Sequence, residues 1–135
     1  YTATKAAVVA LSESWAGELE NTGINVSVLC PAFVQTRIYD SERNRPAQYK
    51  SDAINSDNEN SFLNRAKELV KNGIEVSIVG KRVVEALNDG EFYIFTHPNY
   101  RPILEKRSRD IDEAFKKSSE SPLLQHLVNQ KIEML

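Results

Sequence analysis

Residues 1–36 read YTATKAAVVALSESWAGELENTGINVSVLCPAFVQT, and the order of elements in this stretch decides the fold. Tyr1 to Glu20 is rich in alanine, leucine and glutamate, all strong helix formers. With about 100° between successive residues, Tyr1, Lys5, Val8, Ser12, Trp15 and Leu19 fall on one side. Small residues, Ala3, Ala6, Ala10 and Gly17, take the other. The first set is expected to face a sheet and the second to meet another helix closely. Asn21-Thr22-Gly23 ends the helix, with Gly23 free to turn left-handed. Ile24 to Cys30 is short, apolar and β-branched, and Pro31 stops it, as befits a buried strand. A helix leading into a strand after a tight turn is an α/β layer.

Outward from this stretch, Arg37 to Asn60 is a long polar connection that carries Ile38, Tyr39, Tyr49 and Ile54. Connections of that length inside a compact domain are usually functional lids or disordered. Ser61 is expected to cap a helix through Lys71 that carries Phe62, Leu63, Ala66, Leu69 and Val70. Val76 to Leu87 has a helical apolar period, and Glu91 to Thr96 (EFYIFT) reads as a second strand. Two strands joined through a helix imply a right-handed parallel crossover. A charged helix is expected over Pro102 to Lys117 with Leu104, Ile111 and Phe115 inward. A last amphipathic segment opens at Ser121-Pro122. Two strands alone are a poor sheet, so further strands are expected from sequence outside this stretch. A first residue other than methionine points the same way.

The chain has 135 residues, 41% hydrophobic and 27% charged, with a net charge of −2. The pI is about 5.7. Nucleic-acid binders usually carry a basic domain, so no nucleic-acid partner is expected. No apolar run is long enough to span a bilayer. The single Cys30 allows no intrachain disulfide, and no metal-ligand spacing is present. A reducing cytoplasm fits these facts.

Tyr1 and Lys5 stand four residues apart, on one helix face. A tyrosine is a weak base at neutral pH, with a pKa of about 10. A nearby ammonium, and the positive end of a helix, favour the phenolate. A tyrosine in that setting can exchange a proton with a substrate oxygen. Such pairs also occur by chance on surface helices.

The first 36 residues resemble the short-chain dehydrogenase/reductase family. The shared pattern is Tyr1-x-x-x-Lys5 on a helix, Gly23-Ile24, alternating Val26 and Val28, then Pro31-Ala32-Phe33-Val34-Gln35-Thr36. Ala32 stands where the family usually has glycine. The resemblance implies the C-terminal portion of a Rossmann-like, doubly wound parallel sheet. A helical lid over residues 37–75 and a helical tail over 98–135 would complete the single domain of 1–135. It implies NAD or NADP as cofactor and a small carbonyl or alcohol as substrate. Tyr1 would be the acid/base, with Lys5 tuning it and holding the nicotinamide ribose. Pro31, Ala32, Phe33 and Val34 would line the nicotinamide, with the Val34 backbone at its carboxamide. Thr36 would touch the carboxamide or the pyrophosphate. Relatives commonly pair the first helix across a two-fold axis, so a homodimer or homotetramer through residues 1–20 is expected.

A dinucleotide site also needs a glycine-rich turn. The five glycines here never cluster, so the stretch by itself is expected to be inactive. A second reading therefore stays open: a non-catalytic dimerisation or interaction module. His97 follows the second strand and is open to a structural or a pocket role. Cys30 reads as a small buried residue.

Overall fold

The computed structural model describes residues 1–49 and 57–132. It divides into two compact units, Tyr1–Thr96 and His97–Leu135.

In the first unit, helix α1 (Thr2–Glu18) leads to strand β1 (Val28–Cys30). Two short 3-10 stretches follow, Ile38–Asn44 and Ala47–Tyr49. Helices α2 (Asp57–Lys71) and α3 (Val76–Asn88) then precede strand β2 (Tyr93–Phe95). The two strands pair in parallel, Val28 with Tyr93, Leu29 with Ile94 and Cys30 with Phe95. The parallel pairing is the one expected from a strand–helix–strand order. Each strand is shorter than its apolar run, because only three residues on each side find a ladder partner.

Strand pleating sends alternate side chains to opposite faces. Val28, Cys30, Tyr93 and Phe95 therefore share one face. The Tyr93 hydroxyl donates a hydrogen bond to the Glu13 carboxylate of α1, which marks that face as the α1 side. Ile94, only 3% exposed, turns to the other side. There α3 contacts β2 and turns Val79, Arg82, Val83 and Ala86 inward at helical spacing. The Arg82 guanidinium ties α3 to β2, bonding Glu85, Glu91 and the Phe95 carbonyl. Among the described residues the buried apolar core is Val28, Val70, Ala86 and Ile94.

Gly23 has φ +80° after α1 and Gly90 φ +68° after α3. Both are turns that a residue with a Cβ enters only at a cost.

Several expectations are corrected. The face that α1 turns toward the rest of its unit carries Val9, Ser12, Ala16 and Leu19, about 40° round from the face expected, with Ser12 and Leu19 common to both. Val8 and Trp15 are about half exposed. The shift runs toward Glu13, which lies on the same side as Val9 and accepts the hydrogen bond from Tyr93 of β2. Helix α2 starts at Asp57 rather than after Ser61. Ile54 and the Phe62 side chain lie outside the described residues, as does the 50–56 part of the polar connection.

In the second unit a 3-10 turn, Pro98–Tyr100, leads into helix α4 (Arg101–Ser119). Leu104, Ile111 and Phe115 were expected inward and are exposed in this unit, Phe115 by 73%. Beyond Ser121 the described residues hold turns and the 3-10 stretch Gln125–Leu127, with no α-helix. The His97 ring packs edge-on against Tyr100, 5.8 Å between centroids.

Candidate functional site

A cleft of about 860 Å³ opens where β1 ends. Its walls are the first two turns of α1, β1, the segment Pro31–Ile38, the end of α2 and the start of α3. All seven residues singled out in the sequence border it: Tyr1, Lys5, Pro31, Ala32, Phe33, Val34 and Thr36. The chain brings them together because α1 begins, and β1 ends, at the same edge of the sheet.

Tyr1 caps α1 and is 81% exposed. The Lys5 ammonium lies over the Tyr1 ring, 5.4 Å from its centroid. That is cation–π distance. The turn beneath is closed by backbone: Lys5 N–H to the Tyr1 carbonyl at 3.1 Å and the Thr4 hydroxyl to the same oxygen at 2.7 Å. The Tyr1 phenol oxygen makes no hydrogen bond among the described residues.

The segment after β1 is fixed from the other side. Val34 bridges Ile74 in parallel. Ile74 N–H donates to the Phe33 carbonyl at 3.0 Å and Gln35 N–H to the Ile74 carbonyl at 2.9 Å. In a parallel bridge the N–H and C=O of the flanked residue point away from its partner. Val34 therefore shows an N–H and a C=O side by side, neither bonded among the described residues. A primary carboxamide, with one acceptor and two donors, complements that pair as a neighbouring strand would. Ala32 does not have a positive φ, so replacing the usual glycine there introduces no backbone strain.

Beyond Thr36 the chain folds on an ionic turn. Arg37 bonds Asp40 at 2.7 Å, and Arg43 bonds the carbonyls of Arg37 and Asp40. The Arg37 bond holds the Asp40 carboxyl below its ordinary range. This turn sets Ile38 at the cleft.

Sequence reasoning did not pick out Val28, Leu29, Val70, Val76 and Val79, which supply much of the apolar wall. Their signal was helical or strand periodicity, which marks core and cleft alike. Nor did it find the bond between Glu13 and Tyr93, whose partners are 80 residues apart. That bond, with burial, holds the Tyr93 hydroxyl above its usual pKa. Cys30 borders the cleft half-buried, and burial first, then the Glu13 charge, push its thiol up. A raised thiol has little thiolate at neutral pH and is a poor nucleophile.

Residues 1–47 match the family model for short chain dehydrogenase. The chain is 38% identical over 116 residues to the CLA biosynthesis dehydrogenase/reductase of Lactiplantibacillus plantarum, covering 82% of this chain and 41% of that protein. It is 32% identical over 111 residues to the C alpha-dehydrogenase of Sphingobium sp., covering 82% and 36%. A crystal structure of a short-chain dehydrogenase/reductase from Burkholderia phymatum, in complex with NAD, superposes with a TM-score of 0.76 at 30% identity. The superposition covers 99% of this chain and 45% of that one.

The chain belongs to the short-chain dehydrogenase/reductase family.

It spans less than half the length of these relatives. The two-stranded parallel sheet with its helices is part of a Rossmann-like α/β fold, a type in which ligands bind outside the carboxyl ends of the strands. The cleft lies at such an end. Among the described residues no helix is long and apolar enough to cross a membrane.

Proposed function

We propose that the protein carrying this chain is an NAD(P)-dependent oxidoreductase that interconverts an alcohol and a ketone or aldehyde. The observation that carries this reading is the convergence of Tyr1, Lys5 and the open Val34 edge on one cleft. The dinucleotide, when bound, supplies or accepts the hydride.

The chain's own residues do the rest. The Val34 N–H and C=O take the carboxamide and so fix the nicotinamide ring against Pro31, Ala32 and Phe33. Thr36, at the end of the same segment, bonds the carboxamide or the pyrophosphate. Lys5 holds the ribose hydroxyls, and its ammonium lies over the Tyr1 ring. In reduction the Tyr1 hydroxyl gives its proton to the carbonyl oxygen as that oxygen gains charge. In oxidation the Tyr1 oxygen takes the proton back. Ile38, Val70, Val76 and Val79 offer apolar walls, which favour a substrate with an apolar body. Residues 37–75 act as the lid over it.

The five glycines stand apart in sequence, so the pyrophosphate cradle is not built from these residues, and the stretch by itself is inactive. The protein assembles as a homodimer or homotetramer through α1, whose Ala3, Ala10 and Gly17 are exposed. Ala6 leaves that set, since it borders the cleft. The cytoplasm is its proposed location.

The test is an assay of the complete gene product for NADH and NADPH oxidation against ketones and aldehydes with apolar substituents. Turnover with either dinucleotide is expected. Absence of both turnover and dinucleotide binding would leave the non-catalytic interaction module as the better reading.

A further inference from the structure

The peptide that presents the open Val34 N–H is held from behind by the segment Asn72–Glu75. How close that segment comes is set by residue 73. A Cβ at Gly73 would lie 2.3 Å from the Phe33 carbonyl oxygen, 2.5 Å from the Phe33 carbonyl carbon and 2.8 Å from the Val34 nitrogen. All three atoms belong to one peptide group, so no side-chain rotation relieves the overlap. Gly73 is not among the glycines with positive φ, which are Gly23 and Gly90 among the described residues. The glycine is therefore required by close backbone approach and not by its own conformation. Gly17 and Gly80 are different: a Cβ at either meets nothing within 4 Å.

The peptide bond is planar and trans, so a push on the Phe33 carbonyl turns the Val34 N–H with it. We propose that Gly73 is a positioning residue for the nicotinamide end of the cofactor site: its lack of a side chain lets Ile74 grip the Phe33–Val34 peptide and aim the Val34 N–H into the cleft. This rests on the reading of Val34 as the carboxamide contact. The effect is expected at one end of the dinucleotide, because the Phe33–Val34 peptide is the group that a Cβ at Gly73 would displace.

The experiment compares two ligands on the complete protein. One is the reduced dinucleotide that the wild type prefers. The other is ADP-ribose, or its 2′-phosphate if the wild type prefers NADPH, which keeps everything except the nicotinamide. Gly73→Ala is expected to weaken the dinucleotide about two- to tenfold, the worth of one net hydrogen bond. Its ADP-ribose affinity is expected to stay at the wild-type value, and Gly80→Ala is expected to change neither. Equal losses for both ligands would make Gly73 a mere fold residue and overturn the proposal, as would no loss for the dinucleotide. A wild type that binds neither ligand would refute the cofactor site itself, a result distinct from either. Should Gly73→Ala not fold, Val34→Pro carries the test. It deletes the N–H and spares both bridge bonds, which use other atoms, so the same selective loss is expected. Unchanged dinucleotide binding by Val34→Pro would overturn the proposal.

Discussion

Tyr1→Phe removes one oxygen atom and leaves every bond that Tyr1 gives the fold. Those bonds are made by its backbone carbonyl, which accepts from Lys5 N–H at 3.1 Å and from the Thr4 hydroxyl at 2.7 Å. The ring stays under the Lys5 ammonium, since the cation–π contact needs the ring and not the hydroxyl. The side chain is 81% exposed, and substitutions at such sites usually change stability by less than about 0.5 kcal/mol. The melting midpoint is therefore expected to stay put. Catalysis is expected to fall by the worth of a positioned acid/base, about 10²–10⁴-fold, which is about 2.7–5.4 kcal/mol of barrier. Dinucleotide affinity should remain near the wild-type value. Lys5→Ala differs in kind: it should weaken both turnover and dinucleotide binding, because Lys5 is proposed to hold the ribose beside Tyr1. Steady-state kinetics and fluorescence titration on the complete protein make the comparison. A Phe variant that turns over like the wild type would refute the role of Tyr1.

Three further outcomes are expected. Ile94→Ala, at a side chain 3% exposed in the thin layer between β2 and α3, should cost about 2–5 kcal/mol, read by denaturant titration; a loss within the error of the measurement would show that the layer is not packed there. Tyr93 has its pKa raised above 10.0, first by the bond to Glu13, so the folded state favours the protonated phenol. The stability it lends is complete below about pH 10 and disappears as pH rises through the raised value; the gap between wild type and Tyr93→Phe in melting midpoint should close only above that pH. Ala10→Arg, on an exposed turn of α1, should shift light-scattering mass toward the monomer, and an unchanged mass would remove this helix face from the interface.

The grouping of the candidate residues was more legible in the sequence than the packing. Tyr1 and Lys5 stood out by a spacing of four on one helix, Pro31–Thr36 by resemblance to the family, and Tyr1, Lys5, Pro31–Val34 and Thr36 border one cleft. Helix and strand order followed from local period and from turn residues such as Gly23. The facing of α1 did not, because Glu13 is held by Tyr93, 80 residues away, and no helical period encodes a partner that distant. The tail misled for a related reason: Leu104, Ile111 and Phe115 form an apolar stripe, and periodicity shows that a stripe exists without showing what covers it. Gly73 lies just past the helix end expected at Lys71 and carries no further local signal. Its closeness to Phe33 belongs to the tertiary structure alone.

The pairing of β1 with β2 also fixes an order of events. Ser27 Oγ bonds the Glu91 carbonyl across 64 residues, and the ladder that follows closes a loop of the same size. Long loops are entropically slow to close. Within the last part of the same unit, by contrast, Arg82 reaches Glu91 over nine residues and the Phe95 carbonyl over 13. Glu91 N–H also bonds the Ala86 carbonyl at 2.9 Å. The α3–β2 piece thus assembles from neighbours and stands ready as a template onto which β1 docks. Pro31–Val34 follows directly from β1, so the cleft wall that this segment forms takes shape only after that docking, and the proposed cofactor groove would be missing from an incompletely folded molecule.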